Sequence, residues 1–230
     1  MNHILLLHGA IGAIDQVQPL QSILEKELTV HTLNFNGHGG TAFANEFSIG
    51  QFATEVADYI RQLGLAPVHI FGYSMGGYVA MYLAAKEPGL VKSISTLATK
   101  FYWDEAIAAK EIKMLDAEKI EEKLPAFARQ LEHRHAPNNW KDLLGKTRDM
   151  LVAMGNDNPL KEEVYSTIKT PVLLMLGDRD KMVPLEETVN VYTSLPNAQM
   201  AVLPATPHPL EQVDTGQLAF QINRFIGDLG

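Results

Sequence analysis

The sequence predicts an α/β protein: a three-layer, open, mostly parallel sheet of about six strands, with a helical insertion. Short apolar runs alternate with longer stretches of helical pattern along most of the chain. Several of these runs lack polar/apolar alternation, which is typical of strands covered on both faces. The repeated strand–helix–strand order favours a parallel sheet with helices on both sides.

The strands are predicted from the apolar runs. They are residues 4–7, 29–34, 68–71, 93–97, 172–176 and 199–203. Among the helices, Ser48 and Gln51 have the spacing of a capping box and predict a helix over 48–63, with Gly64 as a natural end. Further helices are expected over 73–86, 186–194 and 210–229.

One segment interrupts this alternation, since residues 103–168 contain no convincing strand. Charged amphipathic stretches cover 106–115, 117–134 and 140–154 instead. We therefore expect a core formed by 1–102 and 169–230, and a helical cap or lid formed by 103–168. Ordinary surface helices are the alternative interpretation.

Composition limits the classes of function. The 230 residues, 46% of them hydrophobic, suffice for one core, and the formal net charge of −8 disfavours nucleic acid or an anionic membrane as a partner. Without cysteine there is no disulfide, thiolate metal site or cysteine nucleophile. No signal peptide or run of about 20 apolar residues is present, so we expect a cytoplasmic protein. With nucleic acid and membrane disfavoured, a small molecule is the expected partner. The oligomeric state is left open.

The strongest local motif is Gly-Tyr-Ser-Met-Gly at residues 72–76. It lies between a predicted strand and a predicted helix, where a sharp turn pushes the Ser74 hydroxyl out above the sheet. Glycines two residues before and after remove Cβ atoms that would clash. Ser74 is thus a candidate nucleophile, and a structural Gly/Ser turn is the alternative.

A serine hydroxyl needs a base and an orienting acid. His208 follows the last predicted strand, in the region where ligands bind in open α/β sheets. Asp178 and Asp180 both follow the strand at 172–176, and the order Ser, Asp, His suits this architecture. The residues alone do not separate the two aspartates.

Small residues after the first strand complete this candidate site. Residues 8–12 read His-Gly-Ala-Ile-Gly, a loop able to turn a backbone N–H toward the same crevice. The N–H groups of Ala10 and Met75 would then form an oxyanion hole. A phosphate-binding loop is excluded because no Gly-Lys-Ser/Thr follows.

These pieces together resemble the α/β-hydrolase superfamily in its capped, single-domain form. The matching segments, in chain order, are residues 5–9, 36–41, 72–77, 177–184 and 208–211. The resemblance implies Ser74 as nucleophile, His208 as base, and Ala10 and Met75 as oxyanion donors. The family pattern Gly-x-x-Asp-x-x-Val-Pro assigns the acid to Asp180, with Asp178 in reserve.

The chain also departs from the family pattern. Its first strand already ends in His-Gly, so the first two family strands look absent. The loop at 36–41 reads Asn-Gly-His-Gly-Gly-Thr, where the family usually has Pro-Gly-His/Arg-Gly-x-Ser. Because the nucleophile is serine, the dehalogenase and epoxide hydrolase branches are disfavoured.

Several residues are candidates to line a substrate pocket, each with packing or turn formation as the alternative role. They are Ile11, His38, Trp103, Trp140, Met150 and Met154. Metal binding is not expected, since His133 and His135 face different directions on a helix and no carboxylate has ligand spacing.

The predicted function is that of a serine hydrolase acting on a small ester, thioester or related carbonyl compound, without metal or organic cofactor. A C–C bond hydrolase or lyase on the same scaffold is one alternative. A non-catalytic ligand receptor is the other, because a fold does not fix a function.

Overall fold

The computed structural model describes residues 2–44 and 46–230 and confirms the predicted fold class. Six parallel strands form one sheet in the order β2-β1-β3-β4-β5-β6. Their bounds are β1 His3–Leu7, β2 Thr29–Thr32, β3 Val68–Tyr73, β4 Val91–Leu97, β5 Val172–Gly177 and β6 Ala198–Leu203. Each lies on a strand predicted from an apolar run.

The inner strands of the sheet are buried on both faces, which explains why they lack polar/apolar alternation. In β1, Leu5 and Leu7 pack into the apolar cluster on one face, whereas Ile4 and Leu6 pack into the cluster on the other. Successive strand side chains point to opposite faces, so a strand covered on both sides has to be apolar throughout.

Ten α-helices accompany the sheet in the described residues. They are α1 Ile14–Leu24, α2 Ile49–Gln62, α3 Met75–Lys86, α4 Glu105–Glu111, α5 Ala117–Lys123, α6 Pro125–His135, α7 Trp140–Asn156, α8 Glu162–Tyr165, α9 Leu185–Ser194 and α10 Thr215–Asp228. Helix α2 begins where its capping residue predicts, since the Ser48 hydroxyl accepts a hydrogen bond from the backbone N–H of Gln51 at 3.1 Å.

The helical segments differ from the sequence prediction at several places. The short helix α8 was not predicted, and the stretch over 106–115 is α4 followed by a 3₁₀ turn at Ile112–Met114. Helix α1 was not predicted because Pro19 lies inside it and no side chain caps its start. The stretch predicted over 117–134 is two helices, since Pro125 has no N–H to continue α5 and instead begins α6. The stretch over 210–229 is a short 3₁₀ turn followed by α10, which the Asp214 side chain caps.

The helices α4 to α8 all lie between β4 and β5 in the chain, within the segment predicted as an insertion. No helix in the described ranges has both the length and the apolar character needed to cross a bilayer.

Candidate active site

Ser74 lies at the sharp turn between β3 and α3. Its backbone adopts φ 50° and ψ −115°, a conformation that residues other than glycine rarely adopt. The turn passes so close to β1 that a Cβ atom on Gly76 would lie 2.6 Å from the carbonyl oxygen of Leu7. Thr99 supports the turn by donating its hydroxyl to the carbonyl of Ser74 at 3.0 Å.

His208 and Asp180 meet in loops that follow β6 and β5. The Nδ1 of His208 donates to Oδ2 of Asp180 at 2.8 Å, and the two side chains are 13% and 1% exposed. A proton held at Nδ1 by this contact leaves Nε2 of the neutral ring free to accept one. The pair therefore has the geometry of an oriented base.

Backbone groups hold the Asp180 carboxylate in place. Its Oδ1 accepts hydrogen bonds from the N–H of Met182 at 2.7 Å and of Val183 at 2.9 Å. Burial acts to raise the pKa of Asp180, but the hydrogen bonds from His208 and the two backbone N–H groups outweigh it, so the pKa lies below its ordinary value. Asp180 is thereby kept ionised.

Asp178 lies in different surroundings. Its Oδ1 accepts from the backbone N–H of Thr206 at 3.1 Å, and its Oδ2 lies 3.5 Å from Nε of exposed Arg179. It thus braces the loop that carries His208 without touching the imidazole.

Ser74 and His208 line the same cavity, of about 590 Å³. In the described residues no hydrogen bond joins the Ser74 hydroxyl to the His208 ring. Catalytic hydrogen bonds of this kind are often long in the absence of ligand. The structure therefore brings all three predicted side chains to one region, with only the His208–Asp180 contact formed.

The two predicted oxyanion donors border this cavity as well. The N–H groups of Ala10 and Met75 have no hydrogen-bond acceptor within the described part of the chain. The loop holding Ala10 is a tight turn closed by the N–H of Gly12 on the carbonyl of Gly9 at 3.1 Å, with Ile11 at φ 52°. The Gln16 side chain accepts from the N–H of Gly9 at 3.0 Å and holds the turn.

Four of the six candidate pocket residues line the cavity: Ile11, Trp103, Met150 and Met154. The other two do not. His38 is fully buried among aromatic rings, with its Nδ1 3.0 Å from the carbonyl oxygen of Asn36. Trp140 packs inside the insertion, against residues such as Leu131 and Leu144.

The structure adds residues that the sequence did not single out. The Tyr73 hydroxyl donates to the carbonyl oxygen of His208 at 3.0 Å, and so positions the loop that carries His208. Lys100 and Glu111 place charged groups in the cavity wall. The sequence does not mark these two residues as cavity residues. Many surface charges also follow a strand, as Lys100 does, or end a charged helix, as Glu111 does.

Polar contacts join the end of α6 to the start of α1 and to the loops that follow β1 and β2. Arg134 Nε lies 3.0 Å from a carboxylate oxygen of Asp15. The Nδ1 of His135 accepts from the N–H of Gly39 at 3.1 Å, and its Nε2 donates to the carbonyl of Ile11 at 3.0 Å. Burial lowers the pKa of His135 and so favours the neutral ring that this pattern requires.

Across residues 2–44 and 46–230, no group of three or more His, Asp or Glu side chains is arranged to hold a metal ion.

Comparisons with known proteins agree with the fold. The family model described as "alpha/beta hydrolase fold" matches residues 2–149. A pimeloyl-[acyl-carrier protein] methyl ester esterase of Neisseria meningitidis serogroup C is 27% identical over 223 residues, covering 88% of this chain and 85% of that protein. A 2-(acetamidomethylene)succinate hydrolase of Mesorhizobium japonicum is 23% identical over 241 residues, covering 96% and 87%.

Among solved structures, a thermophilic esterase of Thermogutta terrifontis superposes with a TM-score of 0.76 at 20% identity, covering 100% of this chain and 90% of that one. At this identity the likeness shows a shared fold.

Proposed function

Since the chain belongs to the α/β-hydrolase fold family, we propose that it is a serine hydrolase that cleaves a small carboxylic ester through an acyl-enzyme. Ser74 would be the nucleophile, His208 the base and Asp180 the orienting acid. The N–H groups of Ala10 and Met75 would bind the oxyanion. The two similar proteins are named as a methyl ester esterase and a hydrolase, and these names support this class of reaction.

One observation carries the proposal: the 2.8 Å contact between His208 Nδ1 and Asp180 Oδ2, beside a cavity that Ser74 also lines. A serine is inert without a base, and a base in this position is oriented only if a third group fixes its ring. A histidine with a structural role alone would have no need of a buried carboxylate held by two backbone N–H groups.

In the acylation step, His208 Nε2 takes the Ser74 proton as the Ser74 oxygen bonds to the ester carbonyl carbon. The carbonyl oxygen becomes an oxyanion, and the unpartnered N–H groups of Ala10 and Met75 are available to donate to it. Asp180 stabilises the imidazolium. When the C–O bond to the alcohol breaks, His208 returns the proton to the leaving oxygen.

Deacylation repeats these steps with water as the nucleophile. His208 removes a proton from water, the hydroxide oxygen bonds to the acyl carbon, and the Ser74 oxygen leaves with that proton. The products are one carboxylic acid and one alcohol, and Ser74 is regenerated.

The segment 103–168 would act as a cap that selects the substrate. Met150 and Met154, on α7 of this segment, line the cavity together with the core residues Ala10 and Ser74. The cavity volume of about 590 Å³ is within the range of small-molecule sites.

Hydrolysis of p-nitrophenyl butyrate by the wild type and by Ser74→Ala tests the proposal. We expect kcat to fall by a factor of about 10⁴–10⁶ in the variant. Equal turnover by the two proteins would refute the assignment of Ser74.

A fluorophosphonate probe tests activation of the serine without a chosen substrate. We expect rapid labelling of the wild type, and none of Ser74→Ala. A non-catalytic receptor on this scaffold would leave the wild type unlabelled as well.

A further inference from the structure

A buried ion pair lies in the wall of the cavity, apart from the proposed triad. Lys100 Nζ is 3.6 Å from Glu111 Oε1, and the two side chains are only 11% and 6% exposed. Lys100 follows β4, whereas Glu111 ends α4 in the insertion. The pair thus joins the two parts of the chain at a wall that is otherwise mostly apolar.

Neither member of the pair has its hydrogen-bonding capacity filled. Lys100 Nζ donates to the carbonyl of Met182 at 2.6 Å, which uses one of its three N–H groups. At 3.6 Å the contact with Glu111 is too long for a hydrogen bond, and the carboxylate of Glu111 accepts none from the described residues. A buried carboxylate without a donor is unfavourable, so a donor from a ligand would stabilise it.

The Glu111 oxygens also face open space. In the described part of the chain, His38, His69 and Asn223 have side-chain atoms that are both fully shielded from solvent and without a hydrogen-bond partner. Glu111 is not among them, so its unpartnered oxygens are not fully shielded. The unfilled capacity of Glu111 is therefore directed at the cavity that it lines.

The local charge argues against an anionic ligand. Besides Glu111, the partly buried Glu187 lies near Lys100, and its Oε1 accepts from the N–H groups of Phe101 at 2.5 Å and Tyr102 at 2.9 Å. Burial raises the pKa of Glu187, against the opposing effects of these backbone donors and of Lys100. Lys100 thus lies near two carboxyl groups, so a further carboxylate bound beside it would meet more negative than positive charge at this position.

We propose that Lys100 and Glu111 form a polar subsite for an uncharged group of the substrate that both accepts and donates a hydrogen bond, such as an amide. Lys100 would donate to the carbonyl oxygen, and Glu111 would accept from the N–H. The subsite disfavours a carboxylate at the same place. This inference specifies the substrate class for the proposed hydrolase and rests on that function.

The test uses ethyl esters that differ only in the terminal group of the acyl chain: carboxamide, carboxylate, methyl ketone or isopropyl, with two to six methylenes between. At the best chain length, we expect the wild type to show a kcat/KM for the carboxamide about tenfold or more above those for the other three, the gain of one well-placed hydrogen bond to a charged group. Equal values for the carboxamide and isopropyl esters would overturn the proposal.

Two variants separate selectivity from a merely structural ion pair. In Lys100→Met the carboxamide advantage should disappear. In Glu111→Gln the ammonium loses its nearest counter-charge, so the carboxamide-to-carboxylate ratio should fall about tenfold. A structural pair would instead lower kcat/KM for all four esters by the same factor, and that result would contradict the subsite.

Matched controls come from the exposed face of α4. Lys110→Met and Glu105→Gln make the same chemical changes on exposed side chains of this helix. Both should leave the ratios among the four esters unchanged.

A binding measurement distinguishes failure of the subsite from failure of the proposed reaction. Calorimetric titration of Ser74→Ala with the same esters reports recognition without turnover. We expect the carboxamide to bind about tenfold more tightly than the isopropyl ester. Equal dissociation constants would overturn the subsite even if the wild type proves to be an active esterase.

Discussion

Asp178 and Asp180 show how much a displacement of two residues changes the surroundings of a side chain. The side chain of Asp180 is 1% exposed and touches the imidazole of His208, whereas the side chain of Asp178 is 37% exposed and accepts a hydrogen bond from a backbone N–H. The physical difference lies in the turn after β5, which directs one carboxylate inward and the other toward solvent.

Substituting each aspartate with asparagine should separate their roles. Asp180→Asn removes the charge that fixes the His208 tautomer, so we expect kcat for an ester substrate to fall about 10⁴-fold. Asp178→Asn changes a group that never meets the ring and should alter kcat by less than about fivefold. Stopped-flow or steady-state assays of the two proteins check this, and similar losses in both would contradict it.

At the level of single residues, the sequence allowed prediction of those site residues that belong to a local motif of fixed spacing. The Gly-x-Ser-x-Gly turn places Ser74 because both glycines have to be small: Gly76 lies against the end of β1, and Gly72 lies against the backbone of Gly76 and Gly77. The contact of Lys100 with Glu111 joins segments that only the folded insertion brings together. No local pattern distinguishes such a pair from surface charges.

Among the elements, the turn between β3 and α3 packs most tightly against its neighbours. A Cβ at position 76 would approach the carbonyl oxygens of Leu7 and His8 at 2.6 and 2.7 Å. Both oxygens belong to backbone, which has little freedom to retreat from the end of a central strand.

Gly76→Ala should therefore lower the free energy of unfolding by more than about 2 kcal/mol. Gly145→Ala is the matched control, since Gly145 lies inside α7 and an added Cβ there meets nothing within 4 Å. This second change should raise stability by about 0.5–1 kcal/mol. Urea denaturation measures both, and a Gly76→Ala protein as stable as the wild type would contradict the packing argument.

Element boundaries were predicted well where a capping side chain or a buried strand determines them, as for α2 and β5. They were missed where proline acts. Pro125 divides one expected helix into two, whereas Pro19 is accommodated within α1 because Val17, Leu20 and Leu24 bury a common face. Tertiary packing decides between these outcomes, and the local sequence does not contain it.

The whole molecule contains a cluster of buried histidines beside the proposed site. Ring centroids of His8 and His38 are 5.0 Å apart, and those of His38 and His135 are 5.9 Å apart. Burial lowers the pKa of His8 from 6.5 to about 4, and that of His38 falls well below its ordinary value for the same reason. The folded chain therefore holds these rings neutral under conditions in which the unfolded chain protonates them.

Global stability should thus decrease in mild acid. Above pH 6.5, folded and unfolded chains both keep His8 neutral; as the pH falls from 6.5 toward 4, only the unfolded chain binds the proton. The free energy of unfolding should fall by about 3 kcal/mol over this range from His8 alone. Denaturant titrations at successive pH values measure the slope.

His8→Gln should flatten this pH dependence, while His133→Gln, on the exposed side of α6, should leave it as in the wild type. Parallel stability curves for the wild type and His8→Gln would show that acid acts through other groups.

The hydrogen bond from His135 to the carbonyl of Ile11 bears on which esters the proposed hydrolase would leave uncleaved. That carbonyl belongs to the residue after Ala10, so this contact links the proposed cap, which carries His135, to the proposed oxyanion hole. A large ligand that displaced the proposed cap would also loosen the loop that carries Ala10. We therefore expect esters too large for the cavity to be cleaved slowly even when they bind, because their binding would displace the Ala10 N–H that is proposed to receive the oxyanion.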